Sequence, residues 1–531
     1  MPLLERIEAL CQQSPSAPMV EVMAMGAGTA RRYTRGEVLH AVKVMTHDLA
    51  ALPSKPTGDD KIGLIMKNSP EWVVADLALM ASGRVEVPVP LAFASDQALH
   101  LLDGVTHCLV DRAGQARLQE WLAVAPAGTP KPMAHLIELD ALLQAPHENT
   151  VTAYMPDEQS ICKVIHTSGT TSRPKGVRIR HAGLSALMAS LQERITPGHY
   201  RRYLSLVPLS LLIEQVTAAY MTFLEGGTLV FLPPQQPLLG ESGATTRALL
   251  PCLAQASVTA LTLPPVVVEA LLAACRAHQD ESLESRCQRL FGHSEPAFIA
   301  CGGAPTAPAV IAELAAYGIP IYEGYGLSEN SSVVAWNAPS CFKAGTVGKP
   351  LNHVTVKLSA DGELLVKSRS LFAGYAGTDP SSCEVDADGW LHTGDVGAMD
   401  DQGFIRVFGR KKNLIITANG RNVSPEWVES RYKSLDCVDQ AVVFGDGLAC
   451  LHGFFVISPD VSIEHATAQI QAFGLGHLSD VERVERVVAS KASPDLYERY
   501  FTVTGRPKRE AIWTHITSQT TTGEDASCLT N

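Results

Sequence analysis

Apolar residues change their period twice between Lys61 and Val89. Ile62-Gly63-Leu64-Ile65-Met66 is an unbroken apolar run with the length of a buried strand. Asn68-Ser69-Pro70-Glu71 follows, with Ser69 placed to cap a helix, Pro70 to fill its first turn and Glu71 to face the positive end of its dipole. Trp72, Val73, Leu77 and Met80 then share one helical face, Gly83 stops the helix, and residues 85–89 return to a strand pattern. A strand, a helix and a strand in this order predict a parallel sheet. The pattern recurs as a helix at 98–102 and a strand at 108–110. Residues 112–155, with Pro126, Pro130, Pro132 and Pro146, read as connecting structure. Beyond them, helical spacing covers 181–194 and 213–224, and strands are expected at 203–207, 228–232, 258–261, 298–301 and 319–323.

From Asp400 the texture changes. Asp400-Asp401-Gln402-Gly403 is a turn, residues 404–408 alternate like a strand, and Gly409-Arg410-Lys411-Lys412-Asn413 is a basic cluster. A helix at 425–434, strands at 439–444 and 452–457 and a helix at 463–472 make a small α+β unit. The expected fold class is α/β. A large multi-sheet N-terminal body (1–409) is followed by a small C-terminal α+β domain (410–516) and a Ser- and Thr-rich tail (517–531) read as disordered.

Length agrees with this division, since 531 residues exceed what one compact core organises. A formal net charge of −12 argues against general binding to nucleic acid or anionic membranes. The twelve cysteines form no Cys-x-x-Cys pair, which fits reduced, mostly buried thiols. No window approaches the roughly 18–20 unbroken apolar residues of a membrane span, and the first residues carry charges where a signal peptide needs an apolar core. A soluble cytoplasmic protein with no transmembrane segment is the expectation.

Candidate chemistry centres on Val164-Ile165-His166-Thr167-Ser168-Gly169-Thr170-Thr171-Ser172-Arg173-Pro174-Lys175-Gly176, read as a loop between a strand and a helix. Its hydroxyls and bare N–H groups donate to polyphosphate oxygens, which only accept, and Lys175 supplies charge. It is not a Walker A loop, because Gly176 rather than Ser or Thr follows Lys175. A flexible Ser/Thr surface loop is the plainer alternative. In Gly324-Tyr325-Gly326-Leu327-Ser328-Glu329, read as a strand-end turn, the glycines admit a ligand, Tyr325 offers a flat ring and Glu329 a hard-cation ligand. In Thr393-Gly394-Asp395, also read as a tight turn, Asp395 suits a vicinal diol; an Asx-turn is the bland equivalent. Two basic stretches complete the set, at 410–413 and at 501–509; each alone is ordinary solvated charge.

Taken in order, these stretches resemble the adenylate-forming superfamily of acyl-CoA synthetases, adenylation domains and luciferases, from about Tyr33 to Ile512. The resemblance is closest to long-chain fatty acyl-CoA synthetases, through the proline-containing stretch Val207-Pro208-Leu209-Ser210-Leu211-Leu212-Ile213-Glu214 and through Cys301-Gly302-Gly303-Ala304-Pro305. It implies that Thr167, Ser168, Gly169, Thr170, Thr171 and Lys175 wrap the β- and γ-phosphates of ATP. Gly302, Gly303 and Ala304 would wall the adenine and acyl carbonyl, and Tyr325, with Gly326 beside it, would stack on adenine. Ser328 would lie beside the α-phosphate, Glu329 would hold Mg²⁺, and Asp395 with Arg410 would bind the ribose diol. Asn413 would sit at a hinge about which the small domain rotates, and Asn419-Gly420 would line a thiol tunnel after that rotation. The implied activity joins a carboxylic acid to a thiol through an acyl-adenylate, with ATP, Mg²⁺ and coenzyme A, or the phosphopantetheine of an acyl carrier protein, as cofactors and acceptors.

Three departures stand out. Ser172 replaces a usual glycine, and Leu211 replaces the histidine usual in long-chain synthetases, which makes the acid pocket more apolar. Near the C-terminus, Arg506 occupies the register of the family's catalytic lysine, with Lys508 two residues later on the same side of an extended loop. Either residue is a candidate for the charge that bridges carboxylate and α-phosphate; the third possibility is impaired adenylation. The apolar residues 209–213 and 266–268 are candidate pocket walls, with ordinary core as the alternative for each. The leading reading is a fatty-acid:thiol ligase. The alternatives are an amino-acid or aryl-acid adenylating enzyme that loads a carrier protein, and a nucleotide-binding homologue without catalysis.

Overall fold

The computed structural model describes residues 2–24, 29–53, 60–146, 157–167, 174–241, 243–377, 384–501 and 507–520. A six-stranded sheet runs Met133–Leu136, His107–Val110, Lys61–Ile65, Val85–Pro88, Ile161–Thr167, Lys175–Arg180. A nine-stranded sheet runs Lys349–Pro350, Ser332–Trp336, Ile321–Leu327, Phe298–Cys301, Ala260–Leu263, Arg202–Ser205, Thr228–Phe231, Pro18–Val22, Arg31–Thr34. Helices cover both, and one apolar cluster joins Trp72, Leu109, Ile179, Tyr220 and Trp336 across them. A four-stranded antiparallel sheet (Val354–Leu358, Glu363–Ser368, Leu391–Met399, Ile405–Arg410) follows. The C-terminal part has its own cores, one around Val428, Tyr432 and Phe455 and another around Phe454, Tyr500 and Ile512. The α/β class is as the sequence reads.

The unit from Lys61 to Pro88 forms as its local signals dictate. The Ser69 hydroxyl accepts the Trp72 N–H at 3.2 Å, Pro70 opens the helix Pro70–Ser82, and Gly83 closes it at φ +71°. Five expectations need correction. The stretch after Thr167 does not lead into a helix: Lys175–Arg180 is a strand antiparallel to Ile161–Thr167, and the helix His181–Gln192 comes only after it. The reason is the alternation in Lys175-Gly176-Val177-Arg178-Ile179-Arg180, which buries Val177 and Ile179. Of residues 112–155, the described part, 112–146, is more regular than its prolines imply: the helix Arg112–Ala123 ends before Pro126, and the strand Met133–Leu136 and the helix Leu139–Gln144 lie between Pro132 and Pro146. Gly324-Tyr325-Gly326 is no turn. It lies within the strand Ile321–Leu327, paired with Ser332–Trp336. Asp395 likewise lies inside the strand Leu391–Met399, beside a bulge, with Gly394 at φ +69°. At the C-terminus the strand Val484–Lys491 and the helices Pro494–Tyr500 and Arg509–Thr520 complete the small unit, so helix extends past Thr517 into the stretch read as tail. Among the described residues no helix is long and apolar enough to cross a membrane, and Cys11, Cys108, Cys162, Cys275, Cys287, Cys301 and Cys437 are buried free thiols.

Candidate active site

The candidate site lies where the Ile161–Arg180 hairpin, the strand end Tyr325–Glu329 and the Asp395/Arg410 ladder meet. Residues 168–173, hence Ser168, Gly169, Thr170, Thr171 and Ser172, lie outside the described residues; Thr167 is placed by its backbone, paired with Lys175. Lys175 is exposed, and its ammonium lies 4.7 Å from the centre of the Tyr375 ring. The Tyr375 hydroxyl in turn donates to Glu329 Oε1 at 2.9 Å. This connection depends on a strap that the sequence reading missed. The Phe372 N–H donates to the Glu329 carbonyl at 2.8 Å, Ala373 to Arg178 at 2.8 Å and Ala376 to Gly176 at 2.7 Å. The strap thus binds the phosphate-loop hairpin to the Glu329 turn. Its one sequence signal is Gly374-Tyr375, a glycine at φ +83° before an aromatic, in an irregular stretch.

Glu329 sits in the short 3₁₀ turn Ser328–Asn330, with Ser328 at its head. Tyr375 engages Oε1, and among the described residues no hydrogen bond to the second carboxylate oxygen is seen. A single carboxylate next to a polyphosphate loop fits Mg²⁺, which takes one or two carboxylates and completes its shell with phosphate oxygens and water. Among the described residues there is no cluster of three or more His, Cys, Asp or Glu that could hold a metal unaided, so the substrate's phosphates would have to supply ligands. His166, on the strand Ile161–Thr167 and paired with Gly176, is pushed down to about 4 by burial and then by His100, so it stays neutral.

Asp395 and Arg410 are cross-strand partners. Arg410 Nε pairs with Asp395 Oδ1 at 2.8 Å, Arg410 Nη1 donates to the Thr393 carbonyl at 3.0 Å, and the Tyr325 hydroxyl donates to Asp395 Oδ2 at 2.6 Å. Burial lifts the Asp395 carboxyl, opposed by the guanidinium and the phenol. Burial, and then the Asp395 charge, also push the Tyr325 phenol well up, so it remains a donor. Each carboxylate oxygen keeps a lone pair for a second donor, and the Arg410 side chain is 46% exposed. That geometry suits a diol placed over the pair.

Gly302, Gly303 and Ala304 follow the strand Phe298–Cys301. A side chain at Gly302 would come to 3.2 Å from the Gly324 carbonyl, and Gly303 has φ +86° with open space around it. The loop can therefore lie flat against the strand that carries Tyr325. Glu323, which the sequence reading passed over, accepts the Thr306 N–H beside this loop, and burial raises its carboxyl to about 7. Of the candidate pocket walls, Leu209, Leu212, Val267 and Val268 are core, while Leu211 and Val266 are 44% and 47% exposed. Glu214 is buried against Ser205, at 2.6 Å, and Tyr203, at 3.2 Å, and burial raises it to about 8.

At the junction with the C-terminal part, Asn413 Nδ2 donates to Glu426 Oε1 at 2.7 Å, and Lys411 pairs with Asp361 and Glu363. Gly420 stands at φ +69° on the exposed tip of the Ile415–Val423 hairpin, with no described atom within 4 Å of where its Cβ would be. Lys508 precedes the helix Arg509–Thr520; its N–H donates to the Tyr500 carbonyl at 2.8 Å, and Phe501 pairs with Pro507. Arg506 lies outside the described residues.

This architecture is that of adenylate-forming enzymes. It superimposes with a TM-score of 0.80 on an anthranilate CoA ligase, AuaEII, in complex with anthranoyl-AMP (18% identical, 98% of each chain). With the Bacillus subtilis o-succinylbenzoate coenzyme A synthetase in complex with ATP and magnesium ion the score is 0.73 (23% identical, 96% and 99% of the chains). The chain belongs to the AMP-binding enzyme family, whose model matches residues 7–376. Among curated relatives, the long-chain-fatty-acid–CoA ligase FadD15 of Mycobacterium tuberculosis is 28% identical over 445 residues (76% of this chain, 73% of the relative). Human long-chain-fatty-acid–CoA ligase 6 is 26% identical over 471 residues (77% and 67%).

Proposed function

We infer that this chain is an AMP-forming acid–thiol ligase that activates a fatty, apolar carboxylic acid with ATP and passes it to a thiol. The observation that carries this reading is the convergence of Lys175, Tyr375 and Glu329 beside Tyr325, Asp395 and Arg410 in a chain of this family. The mycobacterial and human relatives are ligases of long-chain fatty acids and coenzyme A. Coenzyme A is accordingly the proposed acceptor, with a carrier-protein phosphopantetheine as the alternative. The exposed Leu211 and Val266 are the proposed apolar lining of the acid's entry. Cytoplasmic location is part of the proposal.

A carboxylate is a poor electrophile because its leaving group would be oxide. Its oxygen attacks the α-phosphorus of ATP, the bond to pyrophosphate breaks, and a mixed anhydride forms. The thiol then adds to the carbonyl, loses its proton, and AMP departs. Lys175, at the base of the phosphate loop, neutralises the departing pyrophosphate. Asp395 and Arg410 orient the ribose, and the Tyr325 ring covers the adenine. Mg²⁺ at Glu329 would supply Lewis-acid charge on the phosphates. Arg506 or Lys508 supplies the cation for the reacting carboxylate, from a small domain of residues 410–516 that reorients about Asn413 between the two steps.

Pyrophosphate exchange with a panel of acids tests the reading. Exchange with fatty acids supports it. Exchange with only amino or aryl acids moves the substrate to the carrier-protein or aryl class, as the anthranilate and o-succinylbenzoate neighbours of the fold make specific. Nucleotide binding without exchange marks a non-catalytic homologue. Arg506→Ala and Lys508→Ala, assayed for acyl-adenylate, assign the cation: one variant loses at least about 100-fold, and full activity in both would sink the assignment.

A further inference from the structure

Glu329 is followed by backbone that serine seldom adopts. Ser331 has φ +55° and Ser332 φ +118°, in succession, and both are buried. Such conformations persist only where the surroundings over-determine them. Here the surroundings form a chain of side chains on elements distant in sequence. His353 is buried at 7% exposure, with Nδ1 2.8 Å from Ser190 Oγ and Nε2 2.8 Å from Ser370 Oγ. Ser370 Oγ donates to Asn330 Oδ1 at 3.1 Å, Asn330 Nδ2 donates to the Val333 carbonyl at 3.1 Å, and Ser331 Oγ donates to the Ser370 carbonyl at 2.6 Å.

The donor order follows from these partners. Burial pushes the His353 imidazole down to about 4, so it carries a single N–H. Ser370 Oγ also meets Ser368 Oγ at 2.7 Å; with the Ser370 proton given to Asn330, Ser368 donates to Ser370, Nε2–H donates to Ser370 and Nδ1 accepts from Ser190. In this order each proton is used once, and the neutral histidine carries its proton on Nε2. The chain begins on the helix His181–Gln192, which directly follows the phosphate-loop hairpin, and ends on the residue next to Glu329. The same helix closes on the turn through Gly183, where a Cβ would stand 2.9 Å from Ser331 Oγ.

We propose that His353 is a positioning residue: the relay from Ser190 through His353 and Ser370 to Asn330 fixes the turn that aims the Glu329 carboxylate at the cation held on the nucleotide's phosphates. The inference rests on the reading of Glu329 as the carboxylate facing that cation. It concerns affinity for the cation–nucleotide pair and leaves the acid and the bare nucleotide to other residues.

Binding of a non-hydrolysable ATP analogue, measured with Mn²⁺ by electron paramagnetic resonance and in EDTA by calorimetry, tests it on the full chain. His353→Leu removes both hydrogen bonds at similar volume, His353→Gln restores a donor and an acceptor, and Ser370→Ala breaks the relay without touching the ring. The expected result is at least a ten-fold weaker Mn²⁺–nucleotide complex in His353→Leu and Ser370→Ala. Binding in EDTA and the KM for the acid should stay within two-fold, with recovery in His353→Gln. Equal losses with and without Mn²⁺ would overturn the inference, as would unchanged Mn²⁺ affinity. Where His353→Leu does not fold, Ser370→Ala decides by the same numbers. If Glu329→Gln leaves the Mn²⁺ complex of the parent protein unchanged, the reading of Glu329 itself fails and the inference falls with it; a loss in Glu329→Gln alone leaves the reading standing and rejects only the relay.

Discussion

Lys163 and Arg410 each face carboxylates across neighbouring strands, yet one pair of elements seals its charges and the other leaves them half in water. Lys163 is fully buried on the strand that runs into the phosphate loop, between Asp76 of the helix Pro70–Ser82 and Glu86 of the adjoining strand, and it bonds to both. The Tyr220 hydroxyl donates to Asp76 as well, at 2.9 Å. Burial holds the Glu86 carboxyl well above its ordinary range, opposed by the Lys163 ammonium. Arg410, by contrast, meets a buried Asp395 while 46% of its own side chain is exposed. The sealed cluster finds its partners within the protein and so sets the position of a strand. The open one keeps a guanidinium face and lone pairs for something that arrives from outside. Charge alone does not mark a site; exposure of one member does.

The largest expected effect comes from breaking the sealed cluster. Lys163→Met leaves two carboxyl groups buried without a cation, and losing one partner of a buried ion pair costs about 3–5 kcal/mol. The urea transition of the large body should move down accordingly, or the variant should fail to accumulate. A Lys163→Met variant of unchanged stability but weakened ATP binding would reverse the roles assigned to the two clusters.

Glu214 sharpens the comparison, because it is sealed but has no cation. Its carboxyl stands at about 8 in the folded chain against an ordinary 4.5, owing first to burial. The folded state therefore holds a proton that the unfolded chain releases. The stabilisation is complete below 4.5 and is lost as pH rises through about 8. Glu214→Gln cannot ionise and should escape that loss. Its advantage over the parent should grow by about 1.4 kcal/mol per pH unit crossed, to a few kcal/mol at most. Unfolding midpoints of both proteins across that range read the difference directly; parallel curves would show that Glu214 is charged in the fold.

How much of this was legible in the sequence follows from the range of the forces. The Ser69 cap, Pro70 and Gly83 act within a few residues, and the unit they bound was predictable to within a residue or two. Gly324-Tyr325-Gly326 and Thr393-Gly394-Asp395 announced ligand chemistry, but both read as turns, since the strands that straighten them are set by non-local pairing. Lys163 hid inside an apolar run, because its two carboxylate partners lie 87 and 77 residues away. His353 gave no signal at all: its partners are separated from it by 163 and 17 residues, and only the fold assembles them.

The open cluster should respond in function more than in stability. Asp395→Asn keeps the shape and loses the charge opposite Arg410. A hydrogen bond to a charged group is worth about 1.5–3 kcal/mol, so nucleotide affinity should fall about 10–100-fold. With Arg410 nearly half in water, the unfolding midpoint should move far less than in Lys163→Met. A loss of stability equal to that of Lys163→Met, with affinity retained, would make this a second structural cluster.

The smallest effect concerns ion pairs at the surface, exposed at Arg276 and Asp436 and half-buried at Lys433 and Glu269. Arg276, at the end of the helix Pro265–Arg276, holds Glu313 with two contacts of 2.7 Å and reaches Asp436 of the C-terminal part at 2.6 Å; Lys433 pairs with Glu269 at 3.5 Å. Asp436 is 80% exposed, and surface pairs of this kind contribute about 0–1 kcal/mol and weaken with salt. In the orientation they hold, no described atom lies within 4 Å of where a Cβ on Gly420 would stand. On the proposed reorientation of the small domain about Asn413, releasing these pairs should favour the rotated state. Asp436→Ala combined with Lys433→Ala should leave unfolding unchanged within about 1 kcal/mol, while thioester formation rises relative to adenylate formation by less than about five-fold. The rise should vanish near 0.5 M salt, where the screening length falls to about 4 Å. A change that survives high salt would mean that packing, and not these pairs, sets the orientation of the C-terminal part.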